Sequence, residues 1–164
     1  MNEQLHIVQF FFNQDEQPNT LNVYHNIEII SNANELYAKN GEGDFSLYLG
    51  NSYLCLDFDT ESKRIGNLGG IINLNDVNVE HIYFPKNILN GILYMRSDKE
   101  FIHYVCWRFE FTETYFYDSE QSILQIGTCN ANMPCYKFLK NAYCQLDAQG
   151  NMECLLISNI KFFI

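Results

Sequence analysis

The sequence predicts a mainly β fold of the α+β class: a curved antiparallel sheet of about ten strands, joined as a meander and packed with one long N-terminal helix. Three observations lead there. Short runs alternate apolar and polar residues between clusters of turn formers, only one stretch carries extended helical spacing, and an apolar fraction of 47% with 13 Phe and 11 Tyr supplies a large core. At 164 residues the chain has the size of one domain, and no repeat, low-complexity tract or linker divides residues 1–164.

In chain order, His6–Phe12 is the first β-prone run and Asn13–Pro18 the loop that ends it. From Asn19 to Asn40, Val23, Ile27, Ile30 and Tyr37 fall at helical spacing, with Asn19 as a cap and Lys39-Gly41 as a stop. The β-branched Val23, Ile27, Ile29 and Ile30 would suit a strand as well. Gly50-Asn51 then turns the chain into the clearest strand, where Leu54, Leu56 and Phe58 alternate with Tyr53, Cys55, Asp57 and Asp59. Thr60-Glu61-Ser62 turns it back into a Gly-rich strand, Arg64–Ile72, in which Gly66, Gly69 and Gly70 mark a bulge or a close backbone approach.

His81–Phe84 and Ile92–Met95 are two further short strands. Phe101–Phe111 is the longest, with Phe101, His103, Val105, Trp107, Phe109 and Phe111 on its core face and Arg108 beside Glu110, as an ion pair, on the other. Tyr115–Tyr117 and Ile123–Ile126 make a hairpin across Asp118–Gln121, and a short helix starts at Pro134. Tyr143–Leu146 pairs with Glu153–Ile157 across a loop from Asp147 to Asn151, a register that sets Cys144 opposite Cys154.

Several function classes lack their signatures. There is no Gly-x-Ser-x-Gly elbow, and His103 and Cys106 fall on opposite faces of their strand. The run Gly66-Asn67-Leu68-Gly69-Gly70 has no Lys-Ser/Thr and leads into no helix, so it is not a phosphate loop. The four histidines share no ligand spacing. Cys129, Cys135, Cys144 and Cys154 are either a four-thiolate zinc site or unrelated thiols, and reduced, buried thiols are the expectation for the six cysteines. No cofactor, metal or catalytic residue is expected.

Charge placement is more informative. Residues 1–62 hold ten acids against Lys39 alone, so they carry −9 of the net −10. Such a surface repels nucleic acid and anionic lipid and attracts a basic protein. The start Met-Asn-Glu-Gln-Leu-His has no basic stretch, and no apolar run approaches the ~18 residues of a membrane span, so the expected location is the cytoplasm, away from membranes. Asp57 and Asp59 share one face of their strand with Tyr53, and Glu61 sits at the turn. They form either a solvated hairpin end or a docking edge for Lys and Arg. Together with Glu42 and Asp44 they are the candidate partner-binding residues: Glu42, Asp44, Tyr53, Asp57, Asp59 and Glu61.

A small acidic β-rich chain without catalytic residues, with the strand and return Leu54-Cys55-Leu56-Asp57-Phe58-Asp59 to Ile65-Gly66-Asn67-Leu68-Gly69-Gly70, resembles the immunity proteins with which bacteria guard against their own contact-dependent toxins. The resemblance implies an inhibitor that binds tightly over a toxin's active site or an essential surface, and it assigns no residue. Two other readings stay open. One is a small-molecule or sensory domain with an aromatic-lined cavity. The other is an enzyme using Asp57 and Asp59 or a thiol.

Overall fold

A computed structural model describes residues 5–97, 99 and 107–163. Its elements in order are β1 (Leu5–His6), β2 (Gln9–Asn13), α1 (Pro18–Tyr24), β3 (Ile29–Asn32), β4 (Glu35–Ala38), β5 (Phe45–Leu49), β6 (Tyr53–Phe58) and β7 (Ile65–Ile71). After a 3-10 turn at Leu74–Asp76 come β8 (Val77–Val79), β9 (Ile88–Asn90), β10 (Ile92–Arg96), β11 (Trp107–Phe109), β12 (Tyr115–Asp118), β13 (Ile123–Gly127), β14 (Cys135–Lys137), β15 (Ala142–Leu146) and β16 (Met152–Ile157).

The fold is mainly β, but its strands do not form one ten-stranded meander. They form two seven-stranded sheets, ordered β1-β11-β5-β6-β7-β4-β3 and β8-β12-β13-β16-β15-β14-β9, and a two-stranded ribbon of β10 and β2. Four pairings are parallel between distant segments: β1 with β11, β11 with β5, β8 with β12 and β9 with β14. The inner faces of both sheets and the ribbon share one core, filled by Trp107, Phe58 and Phe138, with Leu47, Leu54 and Leu56 from the first sheet and Leu124, Leu155 and Ile157 from the second. Trp107, Phe109 and Phe111 are buried in it, as the alternation predicts, while Phe101–Cys106 lie outside the described residues.

The long helix of 19–40 is corrected. Only Pro18–Tyr24 is helical, begun by a proline in its first turn, and Ile29–Asn32 and Glu35–Ala38 form a hairpin through Ala33 at φ 53°. The β-branched Ile29 and Ile30 explain this outcome, because in a strand Ile29 enters the core while Ile30 packs on the outer face, with no turn of helix to crowd them. The helix predicted at Pro134 is likewise a strand, β14.

His81–Phe84 is not a strand. Residues 80–87 leave β8 at one edge of the second sheet and rejoin it as β9 at the other. With strands about 4.8 Å apart the crossing is about 30 Å, which this many residues cover only when nearly fully extended. The strap therefore runs across the outer face of the sheet. Ile82 and Phe84 press onto Ile123, Leu156, Tyr143 and Cys154, with the Phe84 and Tyr143 rings edge to face at 5.0 Å. The apolar signal of this segment is real, but it reports packing against a sheet instead of membership in one.

The Cys144 register is also corrected. A bulge at Gln145/Leu146 shifts the β15–β16 pairing by one, so Cys144 faces Leu155 and Cys154 faces Gln145. Cys144 consequently enters the main core, and Cys154 turns outward beneath the strap. There it is bonded to Cys129 at a Cα separation of 5.3 Å, which overturns the expectation of reduced thiols for this pair and removes the four-thiolate zinc site. Among the described residues no His, Cys, Asp and Glu cluster is placed to hold a metal ion.

Arg108 donates to the carbonyls of Gly50 and Ser52, at 3.1 and 2.9 Å, and its guanidinium lies over the Tyr48 ring. The edge strand β3 is covered by the buried Asn141. Its Oδ1 accepts from Ile29 N, and its Nδ2 donates to the carbonyls of Ile29 and Ser158, each at 2.7 Å. Replacing Asn141 by Ala leaves buried backbone groups unpaired and is expected to lower the unfolding free energy by about 2 kcal/mol, read from the urea midpoint.

Candidate acidic docking site

The β6–β7 hairpin builds the site. Asp59 ends β6, and its Oδ1 accepts from Glu61 N and Ser62 N at 2.7 and 2.9 Å, so the reversal of the chain is set by a side chain folding back on its own turn. Those two N–H donors, Ser62 first, hold the Asp59 carboxyl below the ordinary carboxylate range. Asp44 arrives beside it from the start of β5. Its Oδ1 accepts from Thr60 N and its Oδ2 from Thr60 Oγ1, at 2.9 and 3.0 Å. Glu42 is docked through its own backbone, with its N–H on Gly66 O at 2.9 Å. Gly66 is required here, because a Cβ at that position would meet the Glu42 carbonyl.

Glu42, Asp44, Asp59 and Glu61 are thus brought to one end of the first sheet, all exposed. Tyr24 lies beneath them. Burial chiefly raises its pKa, and the charges of Glu42 and Asp59 add to that rise.

The other two candidates stand elsewhere. Asp57 is half-buried and is a hub of three strands, accepting from Ser46 Oγ at 2.6 Å, Asn67 Nδ2 at 2.6 Å and Cys55 Sγ at 3.5 Å. It fixes the sheet more than it presents charge. Tyr53 lies about 13 Å further along β6. It is 73% exposed and pairs with Ile71, itself 54% exposed. Ile71, Tyr37 and Glu35, which share the outer face with Tyr53, were missed in the sequence reading. Counting back from the Thr60–Ser62 turn sets Gly69 opposite Tyr53, and only the register shift at Asp57/Phe58 brings Ile71 there, whereas Tyr37 and Glu35 were hidden by the helical reading of their segment.

Elsewhere the shifted groups lie apart, except for Cys135 and Cys144 on the neighbouring strands β14 and β15. Burial lowers the pKa of His25, whose Nε2 lies 2.8 Å from Gly91 O, and raises that of Tyr115. Burial also pushes the Cys135 thiol up to about 12, and the Cys144 thiol well above its ordinary range. Asp147 is held low by Asn151 in the β15–β16 loop. These groups sit on separate elements, and the clefts in the surface are small, about 230 to 310 Å³. Among the described residues no helix is long and apolar enough to cross a membrane.

No protein-family model matches the chain, and no curated protein is significantly similar to it.

Proposed function

We propose that the chain is a binding protein that neutralises a basic protein partner, in the manner of the toxin-immunity proteins it resembles, and that it is not an enzyme. The observation that carries this reading is the gathering of Glu42, Asp44, Asp59 and Glu61 at one exposed end, with Asp44 and Asp59 held in place by hydrogen bonds of the turn itself. Carboxylates fixed before the encounter lose less side-chain freedom on meeting Lys or Arg, and a concentrated negative end steers a basic partner inward. The scatter of perturbed titratable groups supports binding over catalysis. The filling of the space between the sheets by Trp107, Phe58 and Phe138 supports it over an internal ligand cavity.

Glu42 and Glu61 give the cleanest test, because their exposed side chains can be reversed without touching the Asp57 hub or the Asp59 turn. With the basic partner purified after affinity capture on the tagged chain, Glu42→Lys with Glu61→Lys is expected to slow association about tenfold at low salt and to flatten its salt dependence. An unchanged association rate and salt slope in stopped-flow measurements would sink the assignment.

A further inference from the structure

We infer that β8, the open edge of the second sheet, pairs with an extended segment of the basic partner, which joins the sheet as a further strand with Lys at both ends and Val between. The inference rests on the proposed function for the partner's charge, and on a separate set of residues for the surface.

Register opens the edge. Glu80 N donates to Tyr117 O at 3.1 Å and β8 runs parallel to β12, so Asn78 and Glu80 direct their backbone groups at β12, and Val77 and Val79 direct theirs away. Val77 N–H is taken by Leu74 O, which closes the 3-10 turn. Val77 O and both backbone groups of Val79 therefore face outward, and residues 78–81 are all exposed. The edge strand β3 of the other sheet has Asn141 on its outward groups, whereas β8 ends its sheet with β12 as its one neighbour.

The side chains carry the same message. Register sets Val79, Tyr117, Leu124, Ile157 and Ala142 in one row across the inner face. The last four are at most 3% exposed, and Val79, at the edge, is 56% exposed. A strand added antiparallel to β8 completes this row. The residue opposite Val79 exchanges both hydrogen bonds with it and shares its face, and the residue two places on donates to Val77 O. An apolar residue opposite Val79 thus covers it while the backbone supplies the affinity.

Charge selects the occupant. Asp76 and Glu80, both exposed, flank the open groups, and the cleft of about 230 Å³ beside Val79 is lined by Glu80, His81 and Glu120 with no Lys or Arg. In the antiparallel register a Lys before the residue facing Val79 stands opposite Glu80, and a second Lys, four places further on, stands opposite Asp76. A second copy of β8, paired with Val79 against Val77, would set Glu80 against Asp76, so acid would meet acid.

NMR titration of the folded, isotopically labelled chain with the peptide Lys-Val-Thr-Val-Lys, blocked at both ends, tests this. The peptide is expected to shift the amides of residues 77–80 and, at saturation, to slow hydrogen exchange of the outward Val79 amide about tenfold. Replacing its first Val by Pro removes the donor to Val79 O and is expected to weaken binding about tenfold. Replacing both Lys by Glu is expected to abolish it. Glu80→Lys, at an exposed position, is expected to weaken the Lys peptide about threefold and to restore part of the binding of the Glu peptide.

Equal affinity of the Pro peptide, or an unchanged Val79 exchange rate, overturns the pairing. Equal affinity of the Glu peptide overturns the basic occupant, and shifts of β8 that grow with the concentration of the chain alone replace it by a second copy. Shifts confined to the Asp59–Ser62 turn, or none at all, also overturn the inference, while the acidic site is judged separately by the association rate of the Glu42→Lys, Glu61→Lys chain with the captured partner.

Discussion

Reduction of the Cys129–Cys154 bond is expected to lower the unfolding free energy by about 3.5 kcal/mol, the largest single loss within reach of a mild reagent. The bond closes a loop with a sequence separation of 25 and ties the segment after β13 to β16, an interior strand of the second sheet. In the chain-entropy account that closure restricts the unfolded ensemble most. The native segment is held independently by Gln145, whose Oε1 accepts from Asn130 N at 2.8 Å and whose Nε2 donates to the carbonyls of Asn130 and Met133 at 2.7 and 3.2 Å. The folded form is therefore expected to persist after reduction and to be less stable. Burial keeps Cys135 and Cys144 protonated, so neither supplies a thiolate for reshuffling. The check is the urea midpoint with and without a dithiol reductant. Cys129→Ser should lower it to the reduced value and abolish the response to reductant. A midpoint indifferent to both shows that the bond contributes nothing.

The legible parts of the fold were those where local chemistry and tertiary demand agree. The β6–β7 hairpin follows from the alternation of Leu54, Leu56 and Phe58 and from Asp59 at the turn, and β12–β13 and β15–β16 follow in the same way from Asp118 and Asp147 at theirs. The parallel pairings are set by contacts distant in sequence and leave no local mark. The strap shows how one signal serves two structures: Ile82 and Phe84 alternate as a strand would, yet what they answer is the apolar outer face of a sheet crossed at an angle. At Gln145, one extra residue in the ladder was enough to exchange the surroundings of Cys144 and Cys154.

The same division holds at the candidate site. Asp59 and Glu61 are neighbours in sequence, and Glu42 and Asp44 precede them by one hairpin, so their gathering follows from the meander alone. Asp57 looks the same as Asp59 in sequence, and only the register, which sets it between Ser46 and Asn67, shows that its charge is engaged. The close approach of Gly69 to the Leu36 carbonyl needs β4 beside β7, a pairing that the helical reading of Tyr37 had removed.

Asp118→Asn is expected to destabilise the chain more than Asn141→Ala does, although it preserves shape. The Asp118 side chain is almost fully buried and accepts along every direction open to it. Its Oδ1 takes Glu120 N and Gln121 N, each at 3.0 Å. Its Oδ2 takes Ile82 N at 2.9 Å and Gln121 Nε2 at 2.6 Å, with His81 Nδ1 at 3.1 Å. One carboxylate thus closes the β12–β13 turn and pins the strap, while Gln121 Nε2 also donates to Ile82 O at 2.8 Å. An amide in its place has one oxygen and must turn its NH₂ toward N–H donors on the other side, so a buried donor goes unmet.

The pH dependence has a definite sign. The N–H of Ile82 and then those of Gln121 hold the Asp118 carboxyl far below the ordinary carboxylate range when folded. A group depressed in this way contributes stability that is fully present above its unfolded pKa, near 3.9, and is lost as pH falls from there toward the folded value. The gap in urea midpoint between the wild-type chain and Asp118→Asn is therefore expected to be constant from pH 8 to about pH 5 and to narrow only in stronger acid. A gap that already closes between pH 7 and pH 5 would show that the Asp118 carboxylate does not carry the effect, and no gap at any pH would mean that the strap is held by Ile82 and Phe84 packing alone.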